Sequence, residues 1–259
     1  MLDADDELLI HRPSAHGHTS DTVASGTVEE LIALAQSEGT RVTTAAFIGQ
    51  SFFSGVIRVV GPTAAYYEEQ LSAQEAAGSF AAKAGSLFHG AVRAVQAALR
   101  SLTSDPGEGQ LTDNGGTTPR NNTSIILDVQ VDGHRILLTG DAGAPALEQA
   151  ADYFEDSGRG GHGLRDFIQI PHHGSRHNVT SAVMDRLAGP IVGATAERTS
   201  FVSVGAQADE FPRGEVANAF TRRGYSVHAT RGNTIRWNRG APSRGWTPMV
   251  PLPWVDPSE

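Results

Sequence analysis

The chain has 259 residues, 39% of them hydrophobic and 19% charged, with 20 basic and 29 acidic side chains and a formal net charge of -9. That length suits one well-cored domain spanning residues 1–259, and the acidic balance argues against broad, non-specific nucleic-acid binding, which needs a basic footprint. The absence of cysteine excludes disulfides and thiolate metal sites, and no apolar run approaches the ~20 residues of a membrane helix.

In chain order, the opening MLDADDELLIHRP lacks the basic start and apolar core of a signal peptide, so a cytoplasmic protein is expected. Glu7 to Ile10 reads as a short strand. Thr27 to Ala35 reads as an amphipathic helix closed by Gly39. Phe52 to Val60 reads as a strand pair bent at Gly55, and a helix starts at Tyr66. Residues 73–120 read as an insertion: Phe80, Leu87, Val92, Val95 and Leu99 recur at helical spacing, and Ser104 to Pro119 is a Gly- and Asp-rich loop, either a lid or a solvated linker.

The most informative stretch runs from Asn121 to Ser175. Two β-rich runs, Ser124 to Val131 and Arg135 to Thr139, flank Asp132-Gly133, the strongest short signal for a hairpin. The second run stops at Gly140-Asp141. Pro145 then sits at the first turn of a helix, and a third run, Phe167 to Ile170, stops at Pro171-His172-His173-Gly174-Ser175. Strand exits that deliver Asp and His to one rim are one way a β scaffold builds a site for hard and borderline metal ions. Beyond it come a helix from Val179 to Leu187, a strand from Thr199 to Val204 and a helix from Glu215 to Arg223 capped by Gly224. A strand from Ser226 to Thr230 then turns back in a hairpin to Ile235-Arg236-Trp237. The proline-bearing segment 241–259 reads as an extended tail. Arg213, Arg222, Arg223, Arg231, Arg236, Arg239 and Arg244 leave room for a local basic rim. Alternation of strand and helix points to the α/β class, with mixed sheets covered by helices.

The strings NNTSIIL, LLTGD and IPHHGS, in that order, resemble the metallo-β-lactamase fold superfamily and, within it, the hydrolase domain of ComEC-like competence proteins. The likeness continues through FVSVG at 201–205, FPR at 211–213 and ATRG at 229–232, and covers residues 40–237. It implies a four-layer αββα sandwich and a metal-dependent hydrolase acting on a phosphoester, as a small molecule or a nucleic acid, through a metal-bound hydroxide. It implies one or two divalent ions, zinc ahead of manganese, held by Asp141, His173 and His172, with His172 also assisting the leaving oxygen. Asn122, Ser175 and His177 are the expected substrate-facing residues.

Alternatives stand beside each assignment. Asp141 could instead cap the following helix. Asn121 and Asn122 could be an ordinary turn pair, and Ser175 could cap a helix. The superfamily's main metal motif, H-x-H-x-D-H, is absent. The nearest string, His16-Gly17-His18-Thr19-Ser20-Asp21, places Asp one residue late and lacks the final His. Either the chain lacks its first strands and exposes a sheet edge open to a partner or a second copy, or His16, His18 and Asp21 complete an unusual site. With only Asp141 and one His in place, the chain would hold metal weakly or not at all and act as a non-catalytic binding module.

Overall fold

The computed structural model describes residues 7–9, 22–78, 111, 116–157, 165–193, 195, 197–242, 244–245 and 247–255. The expected helical and loop insertion therefore lies largely outside the described residues, as do His16, His18 and Asp21.

Strand β1 (Glu7–Leu9) pairs in parallel with β2 (Arg41–Thr43) across helix α1 (Thr22–Ser37). A second, seven-stranded sheet has the order β3 (Ser51–Phe52), β4 (Ile57–Gly61), β5 (Ile126–Val131), β6 (His134–Leu138), β7 (Phe167–Gln169), β8 (Arg198–Val202), β9 (Tyr225–Ala229). Helix α2 (Ala64–Gly78) follows β4, and a four-residue helix, α3 (Pro119–Asn122), precedes β5. The chain is thus of the α/β class, with a mixed sheet: β3 to β6 run antiparallel and β6 to β9 parallel.

The change of direction follows from the connections. Asp132 (φ 50°) and Gly133 (φ 79°) form the tight β5–β6 turn, whose left-handed pair matches the twist of the flanking strands. From β6 onward each strand is reached through a helix: α4 (Ala144–Asp156), α5 (Ser181–Leu187) and α6 (Gly214–Arg222). Strands added one after another in a single direction by right-handed crossovers put all their helices on the same face. The core lies on that face. Ile126, Leu137, Ile168, Val202 and Val227 from the sheet meet Leu147, Phe154, Val183, Met184, Leu187, Val216 and Phe220 from the helices. On the opposite face, register brings Leu127 beside Leu138 and Val129 beside Ile136, all half-buried.

Charged groups are buried in the helix-covered face. Asp128 is fully buried, 3.5 Å from the guanidinium of Arg135, and accepts from Gln130 Nε2 at 3.3 Å. The buried Arg165 stacks on the Phe154 ring, 4.1 Å from its centroid, and donates to the Leu187 carbonyl. Burial, followed by the nearby Arg135 charge, pushes the Arg165 guanidinium down to about 10.

The expected strand at Ile235 to Trp237 does not form. Trp237 packs its ring against Phe167 (5.4 Å between centroids) and His134 (6.1 Å) instead of extending the ladder. Residues 247–255 are extended, without helix or strand, and lie along β9: Leu252 N–H donates to the Val227 carbonyl at 2.8 Å. His228, buried in β9, has its imidazole pKa lowered below 6.5 by burial, partly countered by a backbone contact with Val250.

Removing the Asp128 carboxylate (Asp128→Ala) takes away the buried counter-charge facing the Arg135 guanidinium and should cost about 3–5 kcal/mol in chemical denaturation. Leu147→Ala should cost about 2–5 kcal/mol, whereas Val250→Ala, at an 84% exposed position, should fall within about 0.5 kcal/mol of the parent. His228 gives a pH signature. The unfolded chain binds its proton more readily than the folded one, so stability should fall as pH drops below 6.5 and level off below the lowered value. Denaturation midpoints compared at pH 7.5 and 5.5 should show that component shrink in His228→Phe.

Candidate functional site

Two adjacent parallel strands end at one rim. After β6, Thr139 donates its hydroxyl to the Gln169 carbonyl at 2.8 Å. The Gln169 side-chain oxygen in turn accepts from Thr139 N–H and Gly140 N–H at 3.2 and 3.4 Å. Gly140 takes φ 54°, and a Cβ there would stand 3.2 Å from that of Ser124. Glycine is suited here on both counts.

Asp141 follows, with its backbone fixed on both sides and its side chain 49% exposed. Its N–H donates to Ser124 Oγ at 3.1 Å. The buried Asn178 amide donates to the carbonyls of Asp141 (3.0 Å) and Ala142 (3.2 Å). Asp141 does not cap α4: the residue at that position is Gly143, with no side-chain cap.

Strand β7 delivers the histidines. His172, His173 and Gly174 take φ values of 44°, 57° and 80°, so two non-glycine residues in succession are left-handed. Each costs roughly 1–2 kcal/mol relative to ordinary backbone. The turn is held by Gly174 N–H to the Pro171 carbonyl (2.9 Å), Ser175 N–H to the His172 carbonyl (3.0 Å), His172 N–H to the Gly140 carbonyl (3.2 Å) and Arg213 N–H to the Gly174 carbonyl (3.0 Å). Pro212 closes against Gly174 so tightly that a Cβ at 174 would overlap it.

This turn brings His172 to Asp141, with 3.7 Å between Nδ1 and Oδ2. The Asn121 amide lies 3.1 Å from the same Nδ1. His173 points its Nδ1 at the Ser203 carbonyl, 2.6 Å away, and stands 5.5 Å from His172 between ring centroids. A carbonyl only accepts, so His173 Nδ1 is the donor and Nε2 is the ring nitrogen turned away from that bond, the orientation in which a second partner sets a metal-binding imidazole.

The expected substrate residues separate. Asn122 is buried on the inner side of α3, accepting from Thr117 Oγ1 at 2.8 Å, with its amide 3.4 Å from Gln70 Oε1. Together with Thr117 it presses on Gly143, where any Cβ would collide with both side chains. Asn122 therefore supports the Asp141 loop from beneath, and its neighbour Asn121 is the one that reaches the site. Ser175 caps no helix, since α5 is capped by Thr180; its Oγ accepts from His177 N–H at 3.4 Å. His177 is exposed beside it.

The basic rim also changes in membership. Arg223 is buried and paired with Asp185, and Arg222 stacks on Trp254, 5.2 Å from its ring centroid. Exposed Arg213 stays with the site through its bond to Gly174, and exposed Arg120 and Arg176 lie within four residues of a site side chain.

Oxygen and imidazole donors suit zinc or manganese in kind. In number they fall short: among the described residues no group of three or more His, Asp or Glu could hold an ion, whereas a catalytic zinc takes three protein ligands. Among the described residues no helix is long and apolar enough to cross a membrane.

Because His173 is left-handed, His173→Gly should be more stable than His173→Ala by about 0.5–1 kcal/mol in chemical denaturation, both lacking the imidazole. Asn178→Ala strips two buried carbonyls of their donor and should cost about 1–3 kcal/mol. No protein-family model matches this chain, and no curated protein or solved structure does so either.

Proposed function

We propose that the chain is a hydrolase of the metallo-β-lactamase superfamily, ComEC-like in type, acting on a phosphoester or nucleic acid with a divalent metal. The observation that carries this reading is the meeting of Asp141 and His172 at neighbouring strand exits, 3.7 Å apart. Three further features support it. The turn presenting both histidines is strained, as functional turns often are. His173 is oriented by its Nδ1 contact with the Ser203 carbonyl, which turns Nε2 the other way. Exposed Arg120 and Arg176 lie within four residues in sequence of a site side chain, and the Arg213 N–H bonds the Gly174 carbonyl; on a chain whose net charge is -9, these basic residues favour an anionic substrate there.

Asp141, with half its side chain exposed and its backbone fixed, is placed to orient a water or a cation. His172 would hold or release a proton at Nε2, its Nδ1 being engaged by Asn121. A divalent ion would supply Lewis-acid activation of water at such a site; with fewer than three donors among the described residues, no step is drawn through it. The four-layer αββα arrangement belongs to the same proposal. The half-buried face carrying Leu127, Val129, Ile136 and Leu138 is where a second sheet would pack, and β1 with β2 is too small to supply one.

The short donor set favours a second reading, a non-catalytic module of the same fold that binds a partner or a second copy. Hydrolysis of a generic aryl phosphodiester by purified protein with added zinc or manganese separates the two. The enzyme reading expects turnover that drops by about 100-fold or more in both Asp141→Ala and His172→Ala, with far-UV circular dichroism unchanged. Absence of turnover and of metal uptake in the wild-type chain would leave the module.

A further inference from the structure

The extended segment 247–255 is read by side chains rather than merely laid on the surface. Asn218, buried on α6, grips Val255 at two points: its Nδ2 donates to the Val255 carbonyl at 2.6 Å and its Oδ1 accepts the Val255 N–H at 3.1 Å. Leu252 adds a ladder-like bond to the outer edge of β9, and Arg222 lies over the Trp254 ring. A side-chain amide that satisfies both backbone groups of one residue holds it irrespective of that residue's side chain. With the segment gone, a buried amide would lose both partners.

The grip has a direct line to the candidate site. The Val255 side chain rests on Gly214, its Cγ1 and Cβ 2.8 and 2.9 Å from where a Cβ on that glycine would stand. Gly214 begins α6, and the two residues before it brace the histidine turn: Arg213 N–H bonds the Gly174 carbonyl at 3.0 Å, and Pro212 closes on the Gly174 Cα. Two successive left-handed non-glycine residues persist only where their surroundings over-determine them. One side of those surroundings is Pro212-Arg213, and Val255 stands behind it.

We infer that residues 250–255 are a strap whose docking between α6 and β9 fixes the His172–Gly174 turn. The functional value of the turn rests on the reading proposed above; the mechanical link does not.

The test uses the full-length chain at one fixed pH, with the imidazole resonances of His172 and His173 as readout and the amides of Asp132 and Gly133, at the opposite rim, as control. In Asn218→Ala, limited proteolysis within 240–255 should accelerate by about tenfold, as expected for losing two hydrogen bonds. Both imidazoles should shift while the control amides stay in place. Val255→Gly, which keeps the buried amide and removes only the contact with Gly214, covers the case in which Asn218→Ala fails to fold, and it should move the same resonances. Two results would overturn the inference: a segment released in Asn218→Ala with unmoved histidines, or Val255→Gly with both imidazoles at their wild-type positions. None of the readouts needs turnover, so an inactive chain and an uncoupled strap are distinguishable.

Discussion

Parallel pairing of β6 with β7, Ile136 beside Phe167 and Leu137 beside Ile168, is the constraint on which the candidate site depends. Parallel neighbours end at the same rim, so whatever residues follow them are delivered side by side. Had the two strands run antiparallel, Asp141 and His172 would lie at opposite ends of the sheet. Gln169 ties the two exits together by bonding the backbone of Thr139 and Gly140, which makes the spacing between them a property of the ladder rather than of the loops.

Around that pairing the polar groups are arranged from beneath. Asn122 and Thr117 crowd Gly143, Ser124 crowds Gly140, and Asn178 holds two carbonyls of the Asp141 loop. Buried amides with several partners resist movement because each lost bond exposes an unsatisfied group in a medium of low dielectric. The loop therefore has little freedom even though the Asp141 carboxylate at its tip meets solvent. The histidine turn is built on the opposite principle, with unfavourable local backbone held by bonds to segments distant in sequence.

Much of this was legible in the residues. Asp132-Gly133 marked the hairpin, because few other pairs accept two left-handed conformations in succession. A carboxylate after one apolar run and two histidines after the next implied a shared rim once the intervening helix made the strands parallel. Other parts carried no readable signal. Which asparagine of the 121–122 pair faces the site depends on a four-residue helix, where one step rotates a side chain by roughly 100°. Asn178, next to His177 just past the histidine loop, could be expected to line the rim, but it is buried and its role comes from a fold-back onto residues 36 and 37 positions earlier. Ile235 to Trp237 had the composition of a strand, but packing of the Trp237 ring on Phe167 outweighed that propensity. The arginines of the last quarter looked like one rim, yet burial, invisible in a string of letters, turned Arg223 inward.

The sheet has two lateral ends, and they are unalike. The β9 end already carries Leu252 on its outer carbonyl row, whereas the β3 end stops at a strand of two residues. A ribbon that grows by edge pairing must offer an acceptor at both margins, and here one margin is occupied from within the same molecule. Association of this sheet through the other margin would pair two β3 edges and leave the β9 margins covered at Leu252.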